Sequence, residues 1–241
     1  MRSPWSLADQ FSQANRQRVE TLAQTEGRLL HELICTRSPA VNCTTDTSPL
    51  RSITRTLTVA LGQRDHHTRA HSDRVVQLAA GLGYHIGLSE DEIELLALGA
   101  QFHDIGKIGI PDRVLHKPAS FEEDEWACMK QHAEIGERII LAIDGDKAST
   151  VAKTVRHHHE HFDGSGYPDR LSGTDIPLYA RIISLTDSYD AMIDTRAYQR
   201  ARSHRVVMGI LEQESGIKHD PDLLHAFTNA IENSSLRGKD D

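Results

Sequence analysis

The sequence predicts an all-α fold, and three observations predict it. Apolar residues recur at helical spacing, capping signals punctuate the chain, and no run of alternating apolar residues announces a substantial sheet. From Leu7 to Ile34, Leu7, Phe11, Val19, Leu22, Leu29 and Leu33 stand among Gln, Arg and Glu, the pattern of one long amphipathic helix suited to dimerisation or docking. Thr36 to Pro49 is rich in Ser, Thr, Asn and Pro and has little to bury, so residues 1–50 read as a helix with a linker and 51–241 as the main domain. A helix is expected at about Thr68 to Leu82. Ser89 with Glu92, and Ser120 with Glu123, have the spacing at which a side chain and a backbone satisfy each other's free groups, so helices should begin at both. The first runs through Ile93, Leu96 and Leu98 to Phe102, and the second carries Met129, Ile135, Ile139 and Ile140. Further helices are expected at Lys147–His158, Leu178–Ile193 and Ser203–Glu214. The last, at Pro221–Asn233, has Asp220 as its cap and Pro221 at its first position.

Composition narrows the function. The 241 residues carry 35 acidic side chains against 27 Lys plus Arg, a formal charge of −8, which argues against a basic DNA-binding surface. No stretch approaches the length of about 18 apolar residues that a membrane span needs, and Met1 to Phe11 lacks the form of a signal peptide, so the expectation is a cytoplasmic protein. Cys35, Cys43 and Cys128 are odd in number and form no CxxC pair, against both a disulfide framework and a thiolate zinc site. Of the 15 histidines, 11 fall between His66 and His161.

That cluster carries the chemistry. The apolar helix ending in Leu95-Leu96-Ala97-Leu98 delivers His103-Asp104, followed by Ile105-Gly106-Lys107. Imidazole and carboxylate both suit first-row divalent ions, and a carboxylate can bridge two of them. Taken alone the dipeptide means little. With His71 upstream, His132, His158 and His159 downstream, and Asp187 inside an otherwise apolar helix, the chain has ligands enough for two ions.

His71-Ser72, His103-Asp104-Ile105-Gly106-Lys107, His132, His158-His159-Glu160, Asp163-Gly164-Ser165-Gly166-Tyr167-Pro168 and Asp187-Ser188-Tyr189-Asp190-Ala191 together resemble, in order and spacing, the HD-GYP family of HD phosphohydrolases, over roughly residues 51 to 232. The resemblance implies an all-α HD-domain bundle around a dinuclear metal centre, with iron or manganese as the usual ions and zinc, nickel or cobalt as alternatives. It implies a phosphodiesterase that cleaves cyclic di-GMP to linear pGpG, with GMP as a further product, by attack of a metal-bridging hydroxide on phosphorus. One ion would be held by His71, His103, Asp104 and Asp187, the other by Asp104 with His132, His158 and His159. Asp104 and Lys107 would be catalytic, the lysine facing the scissile phosphate; Lys107, Tyr167 and Arg196 would contact substrate. Gly164 and Gly166 would serve backbone geometry, and the Gly-Tyr-Pro loop could receive a diguanylate cyclase or another signalling protein. A homodimer through the N-terminal helix is the simplest assembly.

The sequence also departs from the family pattern. His67 stands where members with a third metal carry glutamate, which argues for two ions; Tyr198 is followed by Gln199 rather than a basic residue. Glu160-His161 does not complete a zinc-protease HExxH, because residue 163 is Asp163. Hydrolysis of another cyclic dinucleotide or nucleotide, or a weakly active metal-bound scaffold for cyclic di-GMP, are the alternative functions.

Overall fold

The computed structural model describes Gly62 and residues 68–143, 145–194, 201–232 and 234–240. The proposed N-terminal helix, His67, Arg196, Tyr198 and Gln199 lie outside these residues. Among the described residues there is no strand, and nine α-helices follow one another. They are α1 (Thr68–His85), α2 (Glu90–Phe102), α3 (Asp112–Leu115), α4 (Glu123–Lys130), α5 (His132–Leu141), α6 (Ala148–His157), α7 (Leu178–Ile193), α8 (His204–Gln213) and α9 (Pro221–Ile231). A 3₁₀ turn at Ile105–Gly109 links α2 to α3. The all-α expectation holds.

Local chemistry explains the boundaries. Ser89 and Glu92 form the expected reciprocal box at the start of α2, where Ser89 N–H donates to Glu92 Oε2 at 2.9 Å. Asp220 accepts from the backbone of Asp222 and Leu223 ahead of Pro221. The helix expected from Ser120 differs from the expectation. Its cap is Glu122, paired with Glu125 through a 2.8 Å bond from the Glu122 amide, and the run is broken at Gln131 into α4 and α5. A glutamate reaching its own N3 amide supplies the same satisfaction as Ser120 would, two residues later.

α2 contributes to two hydrophobic cores. Leu96 and Ala100 face one core with Val75 and Leu82 of α1, Ile182 and Tyr189 of α7, and Phe227 of α9. Leu98 and Phe102 face a second core with Ile105, Ile140 of α5 and Val155 of α6. At about 1.5–3 kcal/mol for each large apolar side chain removed from water, both cores hold α2 in place, and the residues at its C-terminal end inherit that rigidity.

Gly106 fixes the next step. A Cβ there would lie 1.8 Å from the carbonyl oxygen of His132 and 2.6 Å from the amide nitrogen of Gly136. The 3₁₀ turn can therefore press against α5 only because residue 106 has no side chain. Gly106→Ala should lower the urea midpoint by an amount equivalent to about 3 kcal/mol. Gly81→Ala, in α1 with nothing within 4 Å of the added Cβ, should raise it by up to about 1 kcal/mol.

Candidate metal centre

Three helix ends meet between the two cores. His103 follows α2, His132 follows α4 after one residue, and His158 follows α6. Each Nδ1 lies within hydrogen-bond distance of the carbonyl three residues earlier: Ala100 at 2.6 Å, Met129 at 2.7 Å and Val155 at 2.7 Å. The last carbonyls of a helix lack intrahelical donors, so each imidazole donates Nδ1–H to one of them and turns its Nε2 lone pair inward. His103 Nε2 is buried and has no hydrogen-bond partner. The Nε2 atoms of His132 and His158 face each other at 3.4 Å. With both Nδ1 atoms donating, two lone pairs oppose each other unless a cation or proton lies between them. The donor set therefore fits a metal.

Among the described residues three groups of side chains could each hold an ion; one is His157, Glu160 and Asp169, and the other two lie here: His71, His103 and Asp104 in one, His132, His158 and His159 in the other. Asp104 stands between the groups. Its Oδ2 is 3.4 Å from His103 Nε2, and its Oδ1 is 3.8 Å from His132 Nε2. Lys107, three residues on in the 3₁₀ turn, places Nζ 2.7 Å from Asp104 Oδ2. Asp187, on α7, approaches His71 Nε2 at 3.1 Å. Thus the structure brings together His71, His103, Asp104, Lys107, His132, His158, His159 and Asp187.

Protonation favours ligation at most of these groups. Burial, and the crowding of the His103 and His132 imidazoles that opposes a further positive charge, press the His158 pKa down to about 3, and burial likewise lowers those of His132 and His159. Neutral imidazole is the ligating form. Burial works against the Asp104 carboxylate, but Lys107 and His103 hold its pKa well below the ordinary value. Burial also works against charged His71, yet hydrogen bonds to Asp187 and Asp190 outweigh it and raise its pKa to about 9.

Asp190 is a site residue that spacing alone did not single out. It is fully buried, lies 2.7 Å from His71 Nδ1, and accepts two bonds from Arg74, at 2.7 and 3.0 Å. Arg74 also pairs with Asp194. The available signal was the i, i+3 relation of Asp190 to Asp187 and of Arg74 to His71, which puts each pair on one helix face.

The Gly-Tyr-Pro loop closes the other side. Tyr167 lies on His159 with ring centroids 4.9 Å apart at 28°, and its amide donates to the His159 carbonyl at 3.2 Å. A Cβ on Gly166 would come within 2.2 Å of the His161 amide nitrogen, so a glycine there lets the loop lie flat on the His158-His159-Glu160 segment. His157 faces elsewhere: its ring bonds the Lys153 carbonyl at 2.8 Å and Asp169 at 2.9 Å, and Asp169 is also gripped twice by Arg156. His161 is bonded to Ser165 at 2.9 Å.

Divalent ions should raise the melting temperature of the native protein, since only the folded state assembles these ligands. Asp190→Asn, which removes the charge behind His71, should require about ten- to a hundredfold more metal for the same shift. His157→Ala should leave the metal dependence unchanged; thermal melts across a metal titration check all three.

Comparison with known proteins agrees with the geometry. A family model described as HD domain matches residues 54–223. The chain is 38% identical over 168 residues to the cyclic di-GMP phosphodiesterase response regulator RpfG of Xanthomonas campestris, covering 70% of this chain and 44% of that protein. It is 34% identical to 3'3'-cGAMP-specific phosphodiesterase 2 of Vibrio cholerae, over 68% of this chain and 32% of that one. The chain thus spans less than half the length of these curated relatives. The crystal structure of a cyclic GMP-AMP-specific phosphodiesterase from V. cholerae shares the fold, with a TM-score of 0.61 at 21% identity, over 78% of this chain and 50% of that one. With the family model matching well over half of its length, the chain belongs to the HD domain family.

Proposed function

We propose that this protein is a metal-dependent phosphodiesterase that hydrolyses cyclic di-GMP to pGpG, with GMP as a further product. The observation that carries the reading is Asp104, whose two oxygens turn toward the two histidine groups and suit a carboxylate shared by two ions. In this reading His71, His103, Asp104 and Asp187 hold one ion, and Asp104, His132, His158 and His159 the other. Iron or manganese is the proposed metal, with zinc, nickel and cobalt as ions the same donors accept. Bound there, the pair would supply Lewis acidity at phosphorus and a hydroxide at neutral pH.

The chain's own residues do the rest. The Nδ1–H bonds of His103, His132 and His158 fix the ring orientations, and Asp190 fixes that of His71. Lys107, beside Asp104, places a positive charge where charge builds up on the phosphoryl oxygens. Tyr167 covers His159 on the side from which substrate would approach. Arg196 is proposed as a further phosphate contact from its place in the sequence. Residues 1–50 are proposed as a separate dimerising segment ahead of 51–241, and the Gly-Tyr-Pro loop as a surface for a signalling partner such as a diguanylate cyclase.

A second reading, hydrolysis of a different cyclic dinucleotide, is favoured by the 34% identity to a relative named as 3'3'-cGAMP-specific.

Protein purified without oxygen and loaded with iron or manganese should cleave cyclic di-GMP, followed by chromatographic separation of products. Asp104→Ala should fall below about one per cent of the native rate, and Lys107→Ala should lose about a hundredfold in kcat. Metal retention without cleavage of cyclic di-GMP, but with cleavage of 3'3'-cGAMP, would move the assignment to the second reading.

A further inference from the structure

A cleft of about 750 Å³ opens beside His159, lined among others by Trp126, Lys130, Tyr167, Arg170 and Lys218. Three of its lining residues are cations and none is a carboxylate, in a protein whose formal charge is −8. Among the described residues Lys130 and Arg170 have no ion-pair partner; the Lys130 ammonium lies 6.0 Å over the Tyr167 ring. Arg170 is the one non-glycine residue there with a left-handed backbone, at φ 57°. A non-glycine residue held in that conformation costs free energy, and Arg170 is exposed and lines the cleft. Trp126 is 44% exposed. Phe121 lies nearly parallel to it at 6.1 Å and Tyr167 meets it edge-on at 6.1 Å, so the indole is braced on two sides and open on the remainder.

A cyclic dinucleotide has two phosphodiesters and two bases, and only one phosphodiester can lie at the metal centre at a time. The other phosphate needs a separate cation, and a base needs an aromatic face. We propose that Arg170, with Lys130 beside it, binds the phosphate of the cyclic dinucleotide that is not being cleaved, while the open face of Trp126 stacks against a base. This rests on the phosphodiesterase reading for its substrate class. Guanidinium fits a phosphodiester bidentately, and stacking on an exposed indole tolerates any base. These residues are positioning residues: they hold the far half of the ligand and do not touch the bond that breaks.

Arg170→Gly tests this with little risk to folding, because glycine adopts the left-handed conformation without strain. The assay compares metal-loaded native and variant protein on cyclic di-GMP, on 3'3'-cGAMP and on bis(p-nitrophenyl) phosphate, which carries a single phosphodiester. KM for the cyclic dinucleotide that is cleaved should rise about tenfold, with kcat and turnover of the small diester unchanged. An unchanged KM, or an equal loss on all substrates, overturns the proposal. A second readout does not depend on turnover. The chain has two tryptophans, so Trp5→Phe leaves Trp126 as the sole reporter. Cyclic di-GMP should quench its fluorescence on mixing, with a Kd that Arg170→Gly weakens about tenfold. Absence of quenching overturns the stacking assignment. Quenching that Arg170→Gly weakens, in protein that cleaves none of the three substrates, would sink the phosphodiesterase reading and support this subsite.

Discussion

The structure depends on one repeated contact, the bond from a histidine Nδ1–H to the carbonyl three residues earlier at the end of a helix. It solves two problems at once. A helix end leaves carbonyls without donors, and a metal-binding imidazole needs its ring held and its tautomer fixed. His103, His132 and His158 meet both needs in the same way, so ending the helix and aiming the ligand are a single event. At His132 the end of α4 meets the start of α5, so there the carbonyl contact is made between two helices rather than at a free end.

The two halves of the centre are braced differently. On the α1 and α7 side, His71 is backed by the buried Asp190, and Asp190 by the partly buried Arg74, a charge chain in which each ion has a partner. Removing one member would leave the next uncompensated, and an uncompensated buried charge is far more costly than the pair is favourable. On the α4 and α6 side the brace is a loop: Tyr167 on His159, with Glu160 accepting from the Asp169 amide at 2.7 Å. Arg156 then ties Asp169 to Glu137 of α5. One half is set by the core, the other by surface ion pairs.

Much of this was legible in the sequence, for identifiable reasons. Helix caps are local: Ser89 with Glu92 and Asp220 with Pro221 were readable because all the atoms involved lie within four residues. The α7 run and His103-Asp104 at the end of α2 were readable because apolar periodicity reports burial directly. The break at Gln131 was not, since Met129 and Ile135 keep their apolar character on both sides of it, and periodicity does not register a change of helix axis. Asp190 and Arg74 were missed for a different reason: their pairing spans 116 residues of sequence, and only the packing of α1 against α7 brings them together. The separation of His157 from its two neighbours likewise follows from its bond to Asp169, a contact that no spacing rule contains.

The uneven bracing also gives the centre a direction. His71, His103, Asp104, His132 and His158 are all buried, whereas His159 and Asp187 keep partial exposure. Solvent therefore reaches the centre at His159, which lies against the Tyr167 ring, and at Asp187. The cations Lys130, Arg170 and Lys218 lie along the cleft on the His159 side, and Lys107 lies beside Asp104. An anion approaching along the cleft passes this positive charge on the His159 side, so the net negative charge of the chain is no obstacle to it. The half of the centre braced by the loop is the one whose surface carries these cations.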